Sequence, residues 1–285
     1  MINMHNYLRL VKFEHTIFAM PFAFIGFFLA IKYNDSKFDP ALLGLVILCM
    51  IFARNAAMSF NRYLDRHFDK LNPRTALREI PAGILKAESV LWFVVANSIL
   101  FIITTWFINP LCFYLSPIAL FIILFYSYTK RFTAFCHFVL SLGLAIAPVG
   151  AYLAVTGSFD WPPVLLALAV FFWASGFDII YALQDEDFDS GLNLKSIPVL
   201  TGRKRALIIS KVIHGFSALF IIAVAVRITA NWLHWTGTFI FIGLLVYQHT
   251  LVKKGDLSKV DLAFFTMNGI ASVIYGSLVI AAFYI

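Results

Sequence analysis

Two stretches of this chain set oxygen-bearing side chains four residues apart, the spacing at which residues share one face of an α-helix. In the first, Asn61-Arg62-Tyr63-Leu64-Asp65-Arg66-His67-Phe68-Asp69, the ladder is Asn61, Asp65 and Asp69. The second runs from Asp178 to Asp189. Tyr181, Asp185 and Asp189 repeat the spacing there, and Asp178 lies seven residues before Asp185, nearly in phase. Hard oxygen ligands of this kind suit Mg²⁺, which keeps several waters and bridges one or two carboxylates to phosphate oxygens. A single acidic ladder also describes a solvated helix face, but a second one argues against that reading. Arg74 and Arg78 follow the first ladder and Lys195 the second, and Lys130 falls in Tyr128-Thr129-Lys130-Arg131. Arginine forks and lysine ammonium groups both hold phosphoryl oxygens, although each of these cations also fits a membrane-topology role. Two carboxylate pairs flanked by cations fit a site in which metal neutralises a diphosphate and stabilises it as a leaving group.

The elements that must position these residues are membrane spans. Of 285 residues, 61% are hydrophobic and 13% charged, against about 25% charged in soluble domains. Apolar segments long enough to cross a bilayer recur at 15–32, 41–60, 90–108, 111–127, 137–155, 163–182, 207–228, 233–251 and 262–284. The expected fold is all-α, with nine transmembrane helices, and residues 1–285 form a single domain. No cleavage site follows the first apolar stretch, so Met1 is expected to begin the mature protein. Asn109–Pro110 and Trp161–Pro162–Pro163 read as tight turns, and Trp232 and Trp235 as interfacial anchors.

Lys and Arg concentrate in alternate loops, which places the amino terminus in the cytoplasm and, with nine spans, the carboxyl terminus outside. The net charge of +7 therefore needs no nucleic-acid partner. Spans two and six differ by four crossings, so both ladders emerge on the cytoplasmic side. Cys49, Cys112 and Cys136 lack the spacing of a structural metal site or a disulfide framework. Arg54 lies inside the second span, where a charge is costly unless paired, so it reads either as a ligand for a bound carboxylate or as a partner of a nearby Asp.

These motifs resemble the UbiA superfamily of intramembrane prenyltransferases. The pattern N-x-x-x-D-x-x-x-D matches Asn61, Asp65 and Asp69, and R-T-x-x-R-x-[IL]-P-x-G matches Arg74, Thr75, Arg78, Ile80, Pro81 and Gly83. The second family motif, D-x-x-Y-A-x-x-D-x-x-x-D followed by K-S, falls on Asp178, Tyr181, Ala182, Asp185, Asp189, Lys195 and Ser196. Phe188 stands where many members carry a further Asp. The stretch Val11 to Ala23 looks like the opening of bacterial 4-hydroxybenzoate polyprenyltransferase-like proteins, some of which serve the futalosine route to menaquinone. His15 within it either lines the cavity or sits at the interface.

The resemblance implies nine helices around a central cavity with a cytoplasmic cap, in the cell (inner) membrane, and Mg²⁺-dependent transfer from a polyprenyl diphosphate to an aromatic acid in ubiquinone or menaquinone biosynthesis. Metal ligands would be Asn61, Asp65, Asp69, Asp185 and Asp189. Arg74, Arg78, Lys130 and Lys195 would hold diphosphate, Arg54 the acceptor, and Asp178 and Tyr181 would serve catalysis. Asp178 would either orient the acceptor hydroxyl, take its proton, or support Tyr181. Heme, chlorophyll or lipid acceptors, or dihydroxynaphthoate of the futalosine route, are the alternatives within the family. A transporter is the alternative outside it; its ion sites are expected near the midplane on broken helices, whereas these carboxylates cluster at one face.

Overall fold

The computed structural model describes residues 4–12, 18–253 and 255–285; His15 lies outside the described residues. Every regular element among them is a helix. In order these are α1 (Met4–Leu10), α2 (Met20–Tyr33), α3 (Pro40–Leu71), α4 (Ala87–Trp106), α5 (Pro110–Thr129), α6 (Cys136–Thr156) and α7 (Trp161–Ala182). A 3₁₀ turn (Leu183–Asp185), α8 (Glu186–Gly191), α9 (Ile197–Arg227) and α10 (Trp232–Leu251) follow, and a π-helix (Leu262–Met267) runs into α11 (Asn268–Ala282).

The starts of these helices are written in capping residues. Asp39 accepts from the amides of Ala41 and Leu42, Asn109 from Cys112, Ser196 from Val199 and Asn231 from His234. Each of these caps satisfies amide groups that have no partner within the helix. Pro40 and Pro110 stand at the first helical position, where a missing N–H costs nothing. Pro162 and Pro163 do the same work in α7. The expected turn at Trp161–Pro162–Pro163 is thus the first turn of a helix capped by Asp160. The second span is longer than its apolar run, because α3 continues through the polar ladder to Leu71.

Among the described residues, seven helices are long and apolar enough to cross a membrane: α3, α4, α5, α6, the α7–α8 run, α9 and the π-helix with α11. The chain is a multi-pass membrane protein. α2 has 14 described residues, and α10, although 20 residues long, carries Trp232, His234, Trp235, Gln248 and His249. α9 is two helical pieces joined at Gly202, whose φ of 76° suits glycine.

Lipid offers helices no hydrophobic incentive to associate, so close packing and interhelical hydrogen bonds hold the bundle. Ser210 and Ser217 of α9 donate to the carbonyls of Gly176 and Ala169 on α7, and His214 bonds that of Trp173. Such bonds contribute about 0.6 kcal/mol each on average. α2 and α6 meet at Gly26, where an added Cβ would lie 2.1 Å from the carbonyl oxygen of Pro148. An aromatic core of Phe22, Trp173, Phe241 and Tyr275 fills the space among α2, α7, α10 and α11.

The bundle has two polar ends. At one, Asn34 donates to Tyr152, Tyr152 to Asp160, and Asn109 to the carbonyl of Leu153. The opposite end gathers the last turns of α3, α5 and α7 and the first turns of α6 and α9, together with the 72–86 connection.

Candidate active site

Asn61, Asp65 and Asp69 all lie on the unbroken last turns of α3, with Asp65 and Asp69 buried. Asn61 donates to Asp65 across 3.1 Å, the one-turn contact that the spacing implies. The second ladder does not share one regular helix. α7 stops at Ala182, Leu183–Asp185 form a 3₁₀ turn, and Asp189 sits on α8. A 3₁₀ turn has 3.0 residues per turn against 3.6, so over three residues it turns the chain about 60° further. The regular four-residue register from Tyr181 to Asp185 and Asp189 is therefore broken.

The 72–86 connection brings the two motifs into contact. Asn72 donates to Asp185 Oδ1 at 3.0 Å, and its own carbonyl oxygen Oδ1 accepts the amide of Arg74. Arg74 then reaches the second motif: Nε lies 3.1 Å from Asp185 Oδ1, Nη2 pairs with Asp185 Oδ2, and Nη1 donates to the Tyr181 hydroxyl at 2.9 Å. Burial disfavours its charge, yet Tyr181 and Asp185 outweigh that and raise its pKa above the ordinary arginine value. Arg78 folds back on the first motif, pairing with Asp69 at 2.6 Å. Lys130, at the end of α5, lies 3.1 Å from Asp65 Oδ2. Lys195 is exposed and forms no ion pair among the described residues, but its amide donates to the Lys130 carbonyl at 2.7 Å. Asp189 is half-buried; Lys130, Asp185, Asp65 and Arg74 are the charges that act on it.

Arg54 lies deeper along α3. Its Nη2 reaches the Lys12 carbonyl at 3.5 Å, its Nε is buried without a hydrogen bond, and it has no acidic partner among the described residues. Lys12 itself is pushed below the ordinary lysine pKa, first by burial and then by Arg62, Arg78 and Arg74. Asp178 and Tyr181 project from the last turns of α7, and the Tyr181 ring stacks on Phe264 of the π-helix at 4.2 Å. Asn268 holds that π-helix in place. It accepts from Trp173 Nε1 at 2.8 Å and donates to the carbonyls of Ala263 and Phe264.

Three contacts were not expected from sequence. Asn72 touches Asp185, Arg131 pairs with Asp65 at 3.5 Å, and His137 lies 2.6 Å from Asp178. Arg131 adjoins Lys130 in a basic pair, which is a usable signal. A histidine at the polar end of an apolar span and an asparagine after a helix carry none.

The donor set can be tested against a divalent cation. Buried Asp69 Oδ2 has no hydrogen-bond partner, and Asp65 Oδ1 has only the long ion pair to Arg131. Carboxylate oxygens kept from water and left without donors suit a cation. No group of three His, Cys, Asp or Glu forms a closed cage among the described residues. Two carboxylates with spare lone pairs instead fit Mg²⁺, which completes its shell with water and phosphate.

An all-helical membrane bundle with two acidic motifs cross-linked by basic side chains at one end defines the class of protein. Residues 19–270 match the UbiA prenyltransferase family. A 4-hydroxybenzoate octaprenyltransferase of Tolumonas auensis is 30% identical over 241 residues, covering 84% of this chain and 84% of that protein. The apo structure of a UbiA homologue from Aeropyrum pernix K1 superposes with a TM-score of 0.85 at 29% identity, covering 94% of this chain and 98% of the other. A UbiA homologue from Archaeoglobus fulgidus bound to DMAPP and Mg²⁺ shares the fold, with a TM-score of 0.76 at 21% identity over 98% of this chain and 99% of the other. The chain belongs to the UbiA prenyltransferase family and is an integral-membrane enzyme of prenyl transfer.

Proposed function

We propose that this chain is a 4-hydroxybenzoate polyprenyltransferase-type enzyme, which moves a polyprenyl group from its diphosphate to an aromatic acid in quinone biosynthesis. The observation that carries the reading is the junction at Arg74, where the segment after the first acidic motif is bonded to Asp185 and Tyr181 of the second. It makes one anion-binding site of two motifs that are far apart in sequence. The name of the Tolumonas auensis relative supports the acceptor class.

Asn61, Asp65 and Asp69 would hold one Mg²⁺, and Asp185 and Asp189 another, as the Mg²⁺-bound homologue of the same fold supports. When bound, the metal neutralises the diphosphate and makes it a better leaving group. Arg74, Arg78, Lys130 and Lys195 bind phosphoryl oxygens. The ion pairs that join the first three to Asp185, Asp69 and Asp65 hold them beside the ladder oxygens, where a diphosphate would arrive.

The allylic C–O bond breaks with both electrons leaving on the diphosphate, and a ring carbon of the phenol forms the new C–C bond. The hydrogen on that carbon departs as a proton, which restores the aromatic ring. Arg54 binds the acceptor carboxylate. Its planar fork suits that group, and its lack of an acidic partner among the described residues leaves it available. Asp178 orients the acceptor hydroxyl and takes a proton, with Tyr181 beside it. The aromatic faces of Tyr181, Phe264 and Phe177 line the path and tolerate cationic character.

In this reading α2, α3, α4, α5, α6, α7, α9, α10 and the π-helix with α11 make nine spans around a central cavity, and the site end forms a cytoplasmic cap. Residues 1–285 act as one domain in the inner membrane, amino terminus inside and carboxyl terminus outside. The test is mass spectrometry of products formed by purified protein from mixed aromatic acids and polyprenyl diphosphates. A prenylated 4-hydroxybenzoate is the expected product. Transfer to other acceptors with none to this acid would overturn the assignment.

A further inference from the structure

We propose that His137 is a positioning residue for the acceptor side of this site, holding Asp178 by one ring nitrogen and the segment that carries Lys195 by the other. The inference rests on the reading of Asp178 given above. His137 opens α6 and is 3% exposed. Its Nδ1 lies 2.6 Å from Asp178 Oδ2, and its Nε2 faces the backbone amide of Ile197 at 3.3 Å. An amide N–H only donates, so Nε2 accepts, and the ring proton sits on Nδ1, where it is given to the carboxylate. The two neighbours together specify one tautomer.

This arrangement has two consequences. Asp178 Oδ2 is engaged by His137, whereas Oδ1 takes no hydrogen bond from the described residues and is left for an acceptor hydroxyl. Ile197 also follows directly on Lys195 and Ser196. The Lys195 amide is bonded to the Lys130 carbonyl, and the Cys136 thiol lies 3.5 Å from the Lys195 carbonyl. The imidazole therefore spans the acceptor carboxylate and the backbone that sets Lys195 beside Lys130. An ordered connection between α8 and α9 becomes a condition for a correctly aimed Asp178.

The test is a series at one position in full-length protein purified in detergent. His137→Asn keeps a donor near Nδ1, His137→Gln places its amide near Nε2, and His137→Leu removes both. The donor to a charged partner is the important bond. His137→Leu and His137→Gln should therefore lower kcat about 10- to 100-fold, while His137→Asn recovers most of that loss. KM for the prenyl diphosphate should rise in the Leu and Asn variants, which lose the Ile197 contact behind Lys195, and stay near wild type in the Gln variant. With ring-fluorinated 4-hydroxybenzoates, whose hydroxyl is more acidic, the deficit of the Gln variant should shrink. Equal losses in the Asn and Gln variants, or wild-type kcat in the Gln variant, would overturn the proposal even if the Leu variant failed to fold. Asp178→Asn run in parallel separates the two readings. If it keeps full activity, the role of Asp178 falls; if it is inactive while the His137 variants are not, only this inference falls.

Discussion

Arg74 follows the first acidic motif by five residues, yet its guanidinium is bonded to Asp185, 111 positions along the chain. Asn72 reaches the same carboxylate from the same connection. The two motifs are therefore joined by the protein itself, through Asn72 and Arg74. Arginine suits this position because its fork engages Asp185 and Tyr181 at once. Arg74→Ala should raise KM for the prenyl diphosphate about tenfold or more, with Arg74→Lys intermediate. Steady-state kinetics with varied diphosphate and saturating acceptor check this.

Much of the site was readable because α3 runs unbroken through its motif, so spacing alone set Asn61, Asp65 and Asp69 on one face. The second motif was less legible. The 3₁₀ turn at Leu183–Asp185 breaks the periodicity on which the ladder reading relied. Contacts between elements were not legible at all. Nothing in the local pattern around His137 indicates a carboxylate 41 positions away. The span count depended on apolarity, and α10 buries His234 and Gln248 in the bundle, a choice tertiary packing makes and composition does not reveal.

Arg54→Leu should raise the acceptor KM strongly while barely changing that for the prenyl diphosphate. A charge-assisted pair contributes about 1.5–3 kcal/mol, so the rise should be about 10- to 100-fold. Arg54→Lys should rescue part of it. An unchanged acceptor KM in folded Arg54→Leu protein would remove the residue from the acceptor site.

Gly26→Ala is expected to loosen the bundle without touching the chemistry. The new methyl would meet the Pro148 backbone carbonyl at 2.1 Å, and backbone cannot rotate away as a side chain can. Overpacking of this kind costs about 1–3 kcal/mol. Thermal unfolding in detergent should shift down, and an unchanged midpoint would mean that α2 and α6 separate easily.

Single cysteines at positions 74 and 200 should label from the cytoplasmic side and one at position 35 from the other, following the two polar ends of the bundle and the Lys/Arg bias. Labelling of 74 and 200 from opposite sides would split the motifs apart.

The central claim, that both acidic motifs build one metal–diphosphate site, is tested most directly by thermal stabilisation of the purified protein with inorganic diphosphate. A ligand that binds only the folded state raises its apparent stability. With Mg²⁺ and diphosphate together, wild-type protein should show a clear upward shift that either component alone fails to give. Asp65→Ala and Asp185→Ala should each lose it while remaining folded and membrane-inserted. A full shift surviving in either variant would contradict a shared site.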